Sequence, residues 1–321
     1  MTYKHKILWT ASSEAKEYAN PIAFPISMST PANNPEEALL SIVDDYEQSQ
    51  AIFDKKDPEE DVDLPLKEAL HELDTAGEFA DDRERCLYLT FTLTLNFSRP
   101  ADRLSQRLRS LWVAEPWVFD PQALIAEQRY YDLLDLFKGR NDFQDHPVMN
   151  EYGLMEYGKQ DAAFWYTVAH TLYHEFESNP LSLIDDHDGD AHAVYQYVSN
   201  ERLDDPAHEE IRTTKKFPGL GGEKIAPLWL RAIDDYIRPL DNIALLPIPV
   251  DVQVARVTNS LFGTEYTADS DEDREAIRDL YRQFCEEYNR TSTRLDKAIW
   301  LIGENWNTGG QDYLTEKIDR Y

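Results

Sequence analysis

The chain has 321 residues, 42% of them apolar and 12% aromatic, enough for one large core or two small ones and too apolar for a disordered chain. No stretch of about 18 apolar residues occurs, which excludes a transmembrane helix, and the polar residues after Trp9 leave no apolar signal-peptide core. Against 32 Lys and Arg stand 61 Asp and Glu, a net charge of −29, which argues against a nucleic-acid partner unless the acidity is an adaptation to a salty cytoplasm.

The acidic residues are spread over the whole chain, in turns and on helix faces, and this distribution favours salt adaptation, a halophilic protein. Cys86 and Cys285 are too few for a four-cysteine cluster and are expected to be reduced. A cytoplasmic protein with no membrane partner is the expectation.

In chain order, residues 1–33 carry several prolines and one possible strand, Lys6–Thr10, and read as an irregular arm. Asn34-Pro35-Glu36-Glu37 is a helix start, followed by Ala38, Leu39, Ile42, Val43 and Tyr46 at helical spacing. Pro58–Pro65 and Gly139–Gly153 read as polar loops. Arg83–Phe97 holds an apolar run, Leu87–Leu95, whose length predicts a buried helix rather than a strand, with an amphipathic helix, Asp102–Trp112, after it. Periodicity predicts further helices over Pro121–Phe137, Asp161–Phe176, Asp190–Val198, Glu223–Ile237, Val250–Phe262, Asp271–Tyr288 and Arg294–Trp306. The fold class is therefore all-α. No internal repeat or low-complexity tract is present.

The stretch Phe217-Pro-Gly-Leu-Gly-Gly-Glu-Lys-Ile-Ala226 stands apart. Pro218 and three glycines, Gly219, Gly221 and Gly222, permit a tight turn with positive φ. A helix follows at once, and its free N–H groups would suit a phosphate without side-chain charge. Residues 211–238 hold six cations, Arg212, Lys215, Lys216, Lys224, Arg231 and Arg238, against three anions, Glu223, Asp234 and Asp235. This is a basic island in an acidic chain, although Pro-Gly-x-Gly turns also join helices for architectural reasons alone. Downstream, Pro249-Val-Asp-Val-Gln-Val254 places Pro249 in a predicted first helical turn and Asp251 just inside it, where the helix dipole favours a carboxylate. Val250, Val254 and Val257 form one apolar face. By itself Asp251 reads more readily as a dipole-stabilised carboxylate with no further role.

Together the two segments resemble the helix-hairpin-helix DNA glycosylase superfamily, and the Pro-Val-Asp-Val string looks most like its 8-oxoguanine branch, archaeal members included. The resemblance is clear over about residues 211–262 and extends as a helix pattern over about 83–306. It implies an all-α fold of two helical subdomains flanking a cleft. Residues 1–80 would form an N-terminal arm with accessory helices and 81–321 the glycosylase-like domain, its hairpin at 211–238 and its Asp helix at 249–262. Lys224 and Asp251 would be catalytic; Lys215, Lys216, Gly219, Gly221, Gly222 and Asn96 would meet DNA, Asn96 as a polar wedge at a helix end. The partner would be double-stranded DNA bearing a damaged base, the protein a monomer needing no cofactor or metal. Three departures from the family pattern are visible. The hairpin holds an extra glycine, Gly221; the step from Lys224 to Asp251 is 27 residues, about two helical turns more than most relatives use; and Gln253 stands where many relatives have histidine.

Two other constellations invite a metal reading. His170 and His174 share a helix face at the spacing of a zinc pair, with Glu175 outside the pair, and packed histidines are the commoner reading. Asp186-His-Asp-Gly-Asp-Ala-His192 looks like a metal loop, but its glycine is misplaced for an EF-hand and a solvated turn is expected. Trp229, Phe217 and Phe262 would either line a base pocket or fill the core.

Overall fold

A computed structural model describes residues 31–53, 64–96, 99 and 101–321. The Lys6–Thr10 strand and the arm as far as residue 30 lie outside the described residues. Among the described residues there are fifteen α-helices and no β-strand, only two isolated bridges, Asp190 with Asp241 and Arg202 with Lys215. None of these helices is long and apolar enough to cross a membrane.

Helix α1 (Pro35–Glu47) begins where the sequence predicts, with the Asn34 side chain accepting from the Glu37 amide at 3.3 Å and Pro35 in the first turn. Helix α2 (Leu64–Ala76) lies partly in the stretch read as a polar loop. Helix α3 (Asp82–Thr94) is the apolar run, capped by Asp81, and Cys86–Thr94 are all buried. A helix buried on every side belongs in the middle of a bundle. Two of its threonines are satisfied locally, Thr90 and Thr94 donating to carbonyls one turn back at 2.7 and 2.8 Å.

Helix α4 (Ala101–Ala114) follows. The predicted Pro121–Phe137 helix is two, α5 (Pro121–Ala126) and α6 (Tyr130–Lys138), parted where Gln128 takes φ +54°. The second predicted loop contains α7 (Pro147–Tyr152). Then come α8 (Gly158–Glu175), α9 (Pro180–Asp185), α10 (Ala191–Asn200), α11 (Ile225–Tyr236), α12 (Val252–Phe262), α13 (Asp271–Tyr288), α14 (Ser292–Glu304) and α15 (Gly310–Arg320). The bounds of α13 are those the periodicity predicts, and α2, α9 and α15 are helices it does not predict.

The buried apolar side chains form two clusters that meet between Leu246 and Ile248. The first gathers α2 to α11 around α3, with Trp165 stacked on Phe91 at 4.7 Å between centroids. The second gathers α12 to α15 and takes in α1, whose Ala38, Leu39, Ile42 and Val43 are fully buried. The two helices before residue 80 therefore divide between the cores: α1 packs on α14 and α15, while α2 packs on α4. Arg290 ties α13's end to Asp44 and Glu47 of α1, and Lys317 reaches Asp45 at 2.7 Å.

Candidate functional site at the seam of the two cores

The hairpin is built by close approach. Gly219 has φ +81°, and a Cβ there would stand 2.3 Å from the Thr94 carbonyl oxygen at the end of α3. A Cβ on Gly221 would meet the Val198 carbonyl oxygen at 2.1 Å, and the Gly221 amide donates to Phe217 O at 2.7 Å. Gly221 is thus a packing glycine whose N–H is already used inside the turn. Gly222 is half-buried and its carbonyl accepts from Ala226 at 2.9 Å. Among the described residues, nothing accepts a hydrogen bond from the amides of Gly222, Glu223 and Lys224. Phe217 and Leu220 plug the turn into the first core, and Trp229 is fully buried with Nε1 donating to Thr90 Oγ1 at 3.0 Å.

Lys224 is the residue before α11, not a residue of its first turn as the predicted Glu223 start had it. Asp251 likewise caps α12 from outside: Oδ1 accepts from the Gln253 and Val254 amides at 2.9 and 3.1 Å. Pro249 precedes that cap by two residues and is not in the helix. The cap fixes the carboxylate, because φ −125° at Asp251 and two amide donors leave it one orientation. Its other oxygen, Oδ2, lies 3.5 Å from Lys224 Nζ. The two groups come from different cores, Lys224 from the head of α11 and Asp251 from the head of α12. Lys224 keeps 57% of its side chain exposed and Asp251 22%, so an anchored acid sits beside an exposed amine. Val250, Val254 and Val257 are buried, as their spacing predicts.

Asn96 follows α3, half-buried, its amide donating to Leu93 O at 3.1 Å, close to the Gly219 approach. Lys215 is exposed. Lys216 is not available to a phosphate: Nζ donates to Glu175 at 2.6 Å and to the Tyr197 hydroxyl at 2.9 Å, with only 13% of the side chain exposed. Burial works against the Lys216 charge, but Glu175 and Tyr197 more than offset it, and the amine titrates above the ordinary lysine range. Burial first, then Glu175, pushes the Tyr197 phenol up to about 12.

The basic island is largely neutralised from within. Lys216, Lys224, Arg231 and Arg238 pair with Glu175, Asp251, Asp296 and Asp185. Arg212 and Lys215 remain exposed. A phosphate at this hairpin would therefore be met mainly by backbone amides.

Two residues to which the sequence assigns no site role complete the seam. Arg231, two turns along α11 from Lys224, is 3% exposed and hydrogen-bonded to Asp296 of α14. Burial pushes the Asp296 carboxyl up, Arg231 draws it down, and Asp251 adds a smaller upward push. A pairing between residues 65 apart has no local signal; only a charged residue on α11's otherwise apolar face hinted at it. On the Glu223 side, Arg278 of α13 donates to Glu223 at 2.7 Å. There a cavity of about 390 Å³ opens between the cores, lined by Tyr195, Glu223, Leu246, Arg278 and Cys285 among others. Neither Lys224 nor Asp251 lines it.

The His170 and His174 rings lie 4.4 Å apart, but Glu175 is engaged by Lys216 and Tyr197. Burial first, then His174, lowers the His170 pKa. In the acidic loop, Asp190 caps α10 through the Ala193 amide at 3.0 Å and accepts from Asn242 at 2.7 Å, which lowers its pKa. Among the described residues no group of three metal-ligating side chains occurs.

What the seam offers chemically is an accessible primary amine beside a carboxylate held by two amides. No family model matches the chain, and neither does any curated protein or solved structure.

Proposed function

We propose that this protein is a DNA repair glycosylase with AP-lyase activity, removing an oxidised purine of the 8-oxoguanine type from double-stranded DNA. The observation that carries the reading is the 3.5 Å approach of Lys224 Nζ to Asp251 Oδ2, two groups 27 residues apart that head helices of different cores. The helix-hairpin-helix glycosylase fold belongs to the same proposal, with the two cores as its subdomains.

A base cannot be excised while stacked, so the nucleotide is first turned out of the duplex. Lys224, as the neutral amine, forms a bond from Nζ to the sugar C1′ while the glycosidic bond breaks and its electron pair leaves with the base. Asp251 accepts the amine proton and stabilises the positive charge that builds on the sugar. The sugar ring opens to a Schiff base, and β-elimination then expels the 3′ phosphate. The free amides of Gly222 to Lys224 hold a backbone phosphate, Lys215 adds local charge, and Asn96 fills the vacated stack.

The test is borohydride trapping at high salt on a panel of single-lesion duplexes. A covalent adduct with an oxidised-purine duplex that disappears in Lys224→Gln is expected. Adduct formation that survives Lys224→Gln removes Lys224 as the nucleophile, and duplex binding without any adduct favours a non-catalytic DNA-binding protein.

A further inference from the structure

Two rows of charge face each other along the seam. Lys224, Arg231 and Asp235 come from the head and body of α11; Asp251 heads α12, and Asp296 and Lys297 lie on α14. They pair in order: Lys224 with Asp251 at 3.5 Å, Arg231 with Asp296, and Asp235 with Lys297 at 3.6 Å. The middle pair is the deepest, and Arg231 Nε and Nη2 are buried with no acceptor among the described residues. A buried ion pair stabilises a seam no better than an apolar pair of equal volume. Stability alone does not account for it.

We propose that Arg231 and Asp296 are positioning residues of the same site, a buried pair whose charges set the reactivity of the Lys224 amine. The inference rests on reading Lys224 as the reacting amine. Three cations and three carboxylates balance while Lys224 holds its proton. When Lys224 gives up that proton to become a nucleophile, the seam is left with one excess negative charge beside Asp251. That is where positive charge would build on the sugar. A neutral residue at 296 cancels this excess and leaves the Arg231 charge uncompensated, which disfavours an ammonium at Lys224.

The surroundings support an electrostatic role. Asp251 acts on the Asp296 carboxyl across the gap between α12 and α14, two helices in extensive contact. From α13, Tyr281 and Cys285 face the same pair, but burial raises both, Cys285 to about 11, and both are uncharged near neutrality. The other charges at the head of α11 are Glu223 and its partners Arg274 and Arg278 of α13, which both variants leave in place.

The test uses the whole protein, glycolaldehyde and borohydride at pH 9. Lys224 Nζ bonds to the aldehyde carbon, water leaves, and borohydride delivers hydride to give a secondary amine. Peptide mass spectrometry then compares labelling of Lys224 with that of exposed Lys215. Asp296→Asn raises the Lys224 to Lys215 ratio about tenfold. Arg231→Gln lowers it, and the double variant stays within about twofold of the unmodified protein. A pair acting only as a clamp between helices would shift both single variants the same way, and that result overturns the proposal. So does an unchanged ratio in Asp296→Asn. If Asp296→Asn does not fold, Arg231→Gln decides: a ratio unchanged or raised overturns the proposal. No DNA enters this measurement, so a protein that labels as expected yet traps no duplex fails as a glycosylase while the charge coupling stands.

Discussion

The carbonyl oxygen of Thr94 stands where a side chain at Gly219 would begin, 2.3 Å from the Cβ position, and φ at Gly219 is +81°. Both the end of α3 and the hairpin turn depend on that glycine. Gly219→Ala is expected to cost at least about 2 kcal/mol, the left-handed strain plus the clash with a backbone atom. Gly222 meets nothing closer than 3.6 Å and lacks positive φ, so Gly222→Ala is expected to change stability by under about 0.5 kcal/mol. Urea unfolding of the two variants checks the contrast, and equal losses would show that the turn is not held by this approach.

Asp251 has two roles that substitutions separate. Asparagine caps a helix as well as aspartate, so Asp251→Asn is expected to leave the unfolding midpoint nearly unchanged, while Asp251→Ala loses about 1 kcal/mol. Both are expected to slow trapping on a lesion duplex by about a hundredfold or more, since neither retains a carboxylate. Asp251→Asn that traps at the unmodified rate would reduce Asp251 to a cap.

The Lys216–Glu175–Tyr197 network predicts an alkaline limb of stability. The folded-state pKa of both Lys216 and Tyr197 lies above its ordinary value, Tyr197 at about 12. The unfolded chain then releases these protons first as pH rises, so their contribution is complete below the ordinary pKa of about 10. It is lost as pH climbs through the folded values. Thermal midpoints measured from pH 9 to 12 should fall less steeply in Tyr197→Phe. An identical slope would remove Tyr197 from the network.

Helix α1 is an integral wall of the second core, with Ile42 fully buried. Ile42→Ala is expected to cost about 2–4 kcal/mol, the loss of buried methyl groups plus the cavity left behind. Calorimetry or urea unfolding measures it. A change below about 0.5 kcal/mol would mean that α1 is an accessory rather than part of the core.

Much of the secondary structure follows from the sequence because its causes are short-range. The Asn34 cap, the bounds of α13, and the helical character of the apolar run in α3 all rest on signals within a few residues. Local signals were less complete where a helix breaks without proline or glycine, as at Gln128, and where short helices such as α7 and α9 lie among polar residues. The hairpin that drew attention to the site is visible in its glycines, and so is the carboxylate downstream. What the residues could not decide is which charges face which. Lys216 is engaged by Glu175 and Tyr197, neither of them near it in the chain, and Arg231 pairs with Asp296 from 65 residues away. Helix formation depends on neighbours along the chain, whereas an ion pair depends on which helices abut. Only the tertiary arrangement, which sets the head of α11 beside the head of α12, brings Lys224 and Asp251 to 3.5 Å.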